Sequence, residues 1–180
     1  MRKLKNKGFT LAELLIIVAV IAILVSVIAA NLFKYIEKSQ ATDDIASAEV
    51  IRTAVQSAFN DSEVNKVVLR GSIAGVGDTD AFWGTPGVEF QATPALATLD
   101  ATAAPLVAST VNEYLGTLPE FKLKKPMGTG YGAPAQWWVK INYADKKNVQ
   151  VAIYIRDSSG NEVQVVPEAD TASLYSKYAK

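Results

Sequence analysis

The sequence contains no histidine and no cysteine among its 180 residues. Without histidine the chain lacks an imidazole base, a Ser-His-Asp triad and the usual zinc ligand set. Without cysteine it lacks a thiolate nucleophile, a disulfide and an iron–sulfur site. Only Asp, Glu, Lys, Ser, Thr and Tyr remain for catalysis. The composition therefore argues against an enzyme, and we expect no cofactor and no metal site.

Glycine and proline are missing between Gly8 and Gly71, whereas residues 71–134 contain most of both. Because these residues interrupt regular backbone structure, their distribution predicts a long helix, then a loop-rich region, then a sheet. Within the helix, residues 14–30 contain a single polar side chain, Ser26. A run that is apolar on every side is buried in lipid or among other helices, and with its apolar flanks this one can span a bilayer.

After Lys34 the apolar residues recur at helical spacing, which predicts an amphipathic helix with one face in a core. The charged residues of this segment, Asp44 among them, are expected mostly on its other faces. Two segments near the carboxyl end, 136–143 and 149–156, alternate apolar and polar residues and, with 162–166, predict an antiparallel meander. The predicted head core comprises Ile45, Ala48, Ile51, Val55, Phe59, Val139, Ile141, Val151 and Ile153.

The expected fold class is therefore α+β. A long amino-terminal helix, with a protruding hydrophobic half and an amphipathic half, packs on a carboxy-terminal antiparallel β-meander, with a loop-rich region between them. Within that region, residues 104–115 predict a further helix with Tyr114 among its core-facing residues. The predicted boundaries are a basic leader (1–8), a hydrophobic helix (9–33) and a head (34–180), the head divided into an amphipathic helix (34–60), a loop region (61–135), the meander (136–167) and a tail (168–180).

The first eight residues include four basic side chains and no acid, which favours a segment kept on the cytoplasmic side of a membrane. A cleaved signal peptide with its cut near Val27–Ala29 and a plain signal anchor both fit this pattern. Neither explains Glu13, an acid one residue before the apolar run, where charge is costly. A capping box between Thr10 and Glu13 provides a structural explanation and predicts a helix that starts there.

The segment KNKG-FTLAELL, followed by an unbroken apolar helix, resembles the prepilin leader and processing site of type IV pilins and their pseudopilin relatives. The resemblance implies that a prepilin peptidase cleaves between Gly8 and Phe9 and methylates the new amino group of Phe9. It also implies that Glu13, with Thr10 beside it, sets the register of assembly by meeting the amine of a neighbouring copy. The filament core would begin with Leu14, Leu15, Ile16, Ile17 and Val18.

Two features depart from many members of that family: the apolar helix contains no proline, and there is no carboxy-terminal disulfide loop. The expected partners are the prepilin peptidase, other copies of the chain, an assembly platform in the membrane, and lipid before assembly. No nucleic-acid contact is expected. The expected location is the cytoplasmic membrane, as a single-pass protein, and then an extracellular pilus filament.

Several alternatives remain open from the sequence. The chain is either a type IV pilus subunit or a pseudopilin of a type II secretion or competence system. A membrane-anchored extracellular binding domain that never polymerises is a different class of answer. Residues 77–80 (GDTD) offer oxygens to calcium, although an acidic loop needs no metal. An anchored hydrolase with paired carboxylates has the least support.

Overall fold

The structure, a computed structural model, describes residues 8–64, 79–92, 103–124, 127–142 and 149–179. The chain divides into two compact units, residues 1–38 and residues 39–180. A long helix followed by an antiparallel sheet confirms the predicted α+β class. In chain order the elements are α1 (Leu11–Asn60), β1 (Thr79–Gly84), β2 (Gln91–Ala92), α2 (Ala103–Leu115), β3 (Pro134–Asn142), β4 (Gln150–Asp157), β5 (Glu162–Val166) and α3 (Leu174–Tyr178).

The sheet has five antiparallel strands in the order β2-β1-β3-β4-β5. The predicted meander forms β3, β4 and β5, while β1 and β2 come from the segment that we expected to be loop with short extended pieces. β1 pairs with β3 across more than fifty residues of chain, and Trp83 lies opposite Trp138. Its last residue, Gly84, is a position where a Cβ would collide with the side chain of Leu118. That glycine marks close packing at the end of a strand.

In the head, one face of α1 packs against one face of the sheet. Ala41, Ala48, Ile51, Val55 and Phe59 are buried together with inward-facing residues of β3 and β4, and Ile45 is partly buried at the edge of this core. The strand residues in the core are Val139, Ile141, Val151 and Ile153. Burial of large aliphatic side chains stabilises a fold by about 1.5–3 kcal/mol each, before entropy is counted.

Arg52 lies within the buried face of α1, and its contacts explain how the core accommodates a charge. Its Nε donates a hydrogen bond to the backbone carbonyl of Val151 in β4, at 3.1 Å. A terminal nitrogen lies 3.4 Å from the carboxylate of Glu49, one turn earlier on the same helix. The guanidinium therefore joins helix to strand while remaining partly exposed to water.

The predicted helix at 104–115 is present as α2, and Val107 and Val111 are buried as expected. The expectation for Tyr114 was wrong, because 54% of this residue is exposed. Tyr114 lies in the last turn of α2, just before Gly116 reverses the chain with a positive φ. The next residue, Leu115, packs against the core, whereas Tyr114 borders a groove on α1 instead.

Candidate processing and assembly site

The predicted cleavage junction lies outside regular structure. Gly8, Phe9 and Thr10 precede α1, and Phe9 is 79% exposed. A Cβ built on Gly8 would meet no atom within 4 Å. The packing of this chain therefore does not require glycine at position 8. A requirement for glycine there would come from another protein that binds the junction. The rest of the predicted leader, residues 1–7, lies outside the described residues.

Thr10 and Glu13 form the predicted capping box. The amide and the hydroxyl of Thr10 both donate to Oε2 of Glu13 at 2.8 Å, and the amide of Glu13 donates back to the Thr10 hydroxyl at 3.3 Å. The first main-chain helical bond follows at once, from the amide of Leu14 to the carbonyl of Thr10. Such a box satisfies helix donors that would otherwise lack partners. The carboxylate is thereby held at the start of α1, immediately before the apolar run.

The apolar run itself is not covered by the described part of the chain. Its first five residues, predicted to begin the filament core, are all exposed: Leu14, Leu15, Ile16, Ile17 and Val18. Ser26, its one polar side chain, donates its hydroxyl to the carbonyl of Ile23 at 2.7 Å. Because that bond lies within the helix, lipid or other apolar helices can surround this turn without leaving the hydroxyl unsatisfied. By length and composition, α1 can cross a membrane.

The sequence did not reveal one buried polar cluster in the head. Asp44 on α1, expected away from the core, is fully buried. Its carboxylate accepts hydrogen bonds from the backbone amides of Lys122 and Leu123, at 2.7 and 3.0 Å, and from the hydroxyl of Tyr175 in α3, at 3.2 Å. Burial raises the pKa of Asp44, and these three donors oppose that rise. The cluster connects α1, the 118–124 segment and α3, so we assign it a structural role.

Two adjacent tryptophans, Trp137 and Trp138, lie on opposite faces of the sheet, as their strand position requires. Trp137 is buried and donates its indole N–H to the carbonyl of Pro119 at 2.9 Å. Trp138, on the outer face, stacks with Trp83 and lies beneath the guanidinium of Arg156. Arg156 in turn approaches Glu162 at 3.8 Å, so the charges on this face are at least partly paired.

No group of three or more acidic side chains able to hold a metal ion occurs among the described residues. The candidate calcium loop lies only partly within them: Gly77 and Asp78 are outside, and Thr79 and Asp80 begin β1. The DSSGN segment (157–161) forms a turn, in which the carboxylate of Asp157 accepts bonds from the amides of Gly132, Ser159 and Asn161. Those bonds hold the pKa of Asp157 below its usual range and outweigh the opposing effect of burial.

Residues 3–29 match the family model of the prokaryotic N-terminal methylation motif. The chain therefore carries this motif at its amino terminus. The match spans the junction at Gly8, the capping box and most of the apolar run, and it ends before the head begins. Proteins with this motif are structural subunits, and the motif together with the apolar helix fits anchoring in a membrane. No solved structure matches the chain.

Proposed function

We propose that this protein is a structural subunit of a type IV pilus. It is inserted in the cytoplasmic membrane through residues 9–33, cleaved after Gly8 by a prepilin peptidase, methylated on Phe9 and polymerised into a helical filament outside the cell. Its other partners are the membrane assembly platform and further copies of the chain. The observation that carries the proposal is a methylation motif that extends from the basic leader through most of an apolar helix, which the described part of the chain leaves exposed.

The exposed apolar surface supports polymerisation because it must be shielded from water both before and after assembly. Leu14–Ile28 would be surrounded by lipid before assembly and by the same segments of other copies afterwards. Removing such side chains from water is favourable by about 25 cal/mol for each Å² of apolar surface buried. In lipid, as in a filament, the absence of charged side chains from this run avoids a large desolvation cost.

Glu13 supports the proposal through electrostatics. Cleavage after Gly8 creates a cationic amine on Phe9, four residues before this carboxylate. Opposite charges attract much more strongly where water is excluded than at a wet surface. A neighbouring copy whose amine meets Glu13 would be fixed in axial register, whereas a copy that misses it would leave two charges unpaired in an apolar core.

Replacing Glu13 with Val in the native host, as the sole copy of the chain, tests the proposal. We expect membrane insertion and the head fold to persist while filaments recovered by shearing cells decrease at least about tenfold, as loss of a buried ion pair predicts. Glu13→Gln is the matched control for size, and it should also fail because it lacks the charge. Wild-type yields from both variants would restrict Glu13 to its role in the capping box.

Wild-type cells from which no filament containing the chain can be sheared would contradict the pilus subunit itself. A chain that is processed but stays in a short periplasmic or envelope-bound assembly would indicate a pseudopilin. A chain found only as an uncleaved membrane protein would indicate the anchored binding domain. The same fractionation experiment therefore separates the three alternatives.

A further inference from the structure

A cavity of about 490 Å³ lies in the head where α1 meets the first residues of β4. The cavity follows from the unequal lengths of two strands. In the described sheet, β5 pairs only with residues 153–156 of β4, so residues 150–152 extend beyond it. Ala152, which lies opposite Lys140 in β3, contributes only a methyl group to the wall. Cavities of this volume are large enough to hold a small molecule.

The described lining of this cavity is rich in polar side chains and contains no acidic one. Two of the polar residues are cations, and three are glutamines, whose carboxamides both donate and accept hydrogen bonds. These polar residues are Arg52 and Gln56 of α1, Lys140 of β3, Gln150 and Tyr154 of β4, and Gln164 of β5. An apolar ligand would remove these groups from water without replacing their hydrogen bonds, so the lining favours a polar ligand.

Contacts within the head hold three of these side chains in place. The Nζ of Lys140 lies 2.7 Å from the carboxylate of Glu162 and 4.3 Å from the centre of the Tyr154 ring. The Tyr154 hydroxyl donates to Oε1 of Gln164 at 2.7 Å. The side-chain amino group of Gln164 is left as a donor with no partner among the described residues. Because these groups are already ordered, a ligand that binds them pays less conformational entropy.

Arg52 provides further donors from α1. Its Nε and one terminal nitrogen are bonded to the Val151 carbonyl and to Glu49, whereas its other terminal nitrogen has no partner in the described part of the chain. The side chains of Gln56 and Gln150 likewise make no hydrogen bond to another described residue. The cavity therefore combines two positive charges with hydrogen-bonding groups that the head itself does not use.

We infer that this cavity binds an acidic saccharide, a sugar ring that carries a carboxylate. The carboxylate would accept from Arg52 and Lys140, because charge-assisted hydrogen bonds are the strong ones. The ring hydroxyls, which both donate and accept, match the carboxamides of Gln56, Gln150 and Gln164. A bare inorganic anion would leave the carboxamides unused, and a neutral sugar would leave the cations unused. The inference concerns the head of a single copy and does not depend on polymerisation.

Calorimetric titration of the full chain in detergent micelles tests this site. The probes are trigalacturonic acid and sialyllactose, two classes of acidic saccharide, with galactotriose and lactose as their neutral counterparts. At least one acidic probe should bind at least about tenfold more tightly than its neutral counterpart, because only the acidic probe forms charge-assisted hydrogen bonds. Raising the salt concentration from about 0.05 M to about 0.5 M should weaken that binding, since salt screens the charges.

Variants at exposed or half-buried glutamines locate the binding. Gln150→Glu and Gln56→Glu, on two different elements of the wall, should each weaken binding of the acidic probe at least about tenfold, whereas Gln150→Lys should not weaken it. Gln91→Glu is the matched control, because it makes the same change at an exposed strand residue outside the lining. Its affinity should stay within about twofold of wild type. Circular dichroism of each variant checks that the head is folded.

Equal affinities for the acidic and neutral probes, or no binding of any of the four, would overturn the inference. Binding of an acidic probe that Gln150→Glu and Gln56→Glu both leave unchanged would overturn it too, because the probe would then occupy another place. All of these outcomes leave the pilus proposal standing, since a chain in micelles is titrated without being polymerised. Failure of wild-type cells to form filaments would instead reject the proposed function and leave the saccharide site untouched.

Discussion

The helix α1 has two apolar regions, which differ in how much of their surface the rest of the described chain buries. In residues 14–28 the large aliphatic side chains are all exposed, whereas in residues 41–59 a single face is buried against the sheet. The second region obtains its partners from its own chain, through strands that the sequence places more than seventy residues later. The first has none within the described chain and depends on lipid or on other copies. The buried region thus defines the fold, and the exposed region indicates the function.

The largest expected effect in the amino-terminal region concerns processing. Gly8→Leu should leave the chain uncleaved and retained in the membrane, while the head folds as before because position 8 faces open space. Immunoblotting after gel electrophoresis distinguishes the longer form from the cleaved one, and Gly8→Ala provides a control with a smaller side chain. Wild-type mobility and normal filaments from Gly8→Leu would show that the junction is not the processing site.

The largest effect in the head separates the two faces of α1 at adjacent positions. In a fragment starting at Lys34, which we expect to be soluble, monomeric and cooperatively folded, Ile51→Asp should cost at least about 4 kcal/mol, since it buries an unpaired charge. Val50→Asp is the matched control; its side chain is exposed, so the cost should be below about 1 kcal/mol. Urea unfolding followed by circular dichroism measures both. Equal midpoints for the two variants would show that the helix does not pack on the sheet as described.

A smaller effect is expected at the buried carboxylate of the head. In the same fragment, Asp44→Ala removes the acceptor of two backbone amides and of the Tyr175 hydroxyl, and should cost about 2–4 kcal/mol. Asp43→Ala, at the exposed neighbouring position, should change stability by less than about 0.5 kcal/mol. Thermal melting provides the comparison. If Asp44→Ala and Asp43→Ala melt at the same temperature, the cluster does not join α3 to the head.

The smallest predicted effect concerns pH. Because burial raises the pKa of Asp44 above its ordinary value of 3.8, the folded state holds that proton more tightly than the unfolded chain. The contribution of this group to stability is therefore full below pH 3.8 and declines as the pH rises through the folded pKa. Carbon NMR of the Asp44 carboxyl group in the fragment should show a titration midpoint above pH 3.8. A midpoint below 3.8 would mean that the hydrogen bonds outweigh burial.

A structural feature could be predicted from the sequence when the residues that produce it lie close together in the chain, and was missed when they lie far apart. The length of α1, the capping box and the meander depend on residues close together in the chain, and all three are present in the structure. The strand β1 forms by pairing with β3, which lies far along the chain. Its last residue, Gly84, is of a type that also predicts a loop, so the sequence did not distinguish the two. Burial of Asp44 depends on donors from two distant segments, so no helical pattern could identify it.

The most direct test of the central claim is the intact mass and amino-terminal sequence of the chain recovered from sheared surface filaments. We expect the filaments to consist of this chain, beginning at Phe9, lacking residues 1–8 and carrying a methylated amino group. A chain that begins at Met1, or one that begins at Ala30 after removal of the apolar helix, would contradict it. So would surface filaments that do not contain the chain.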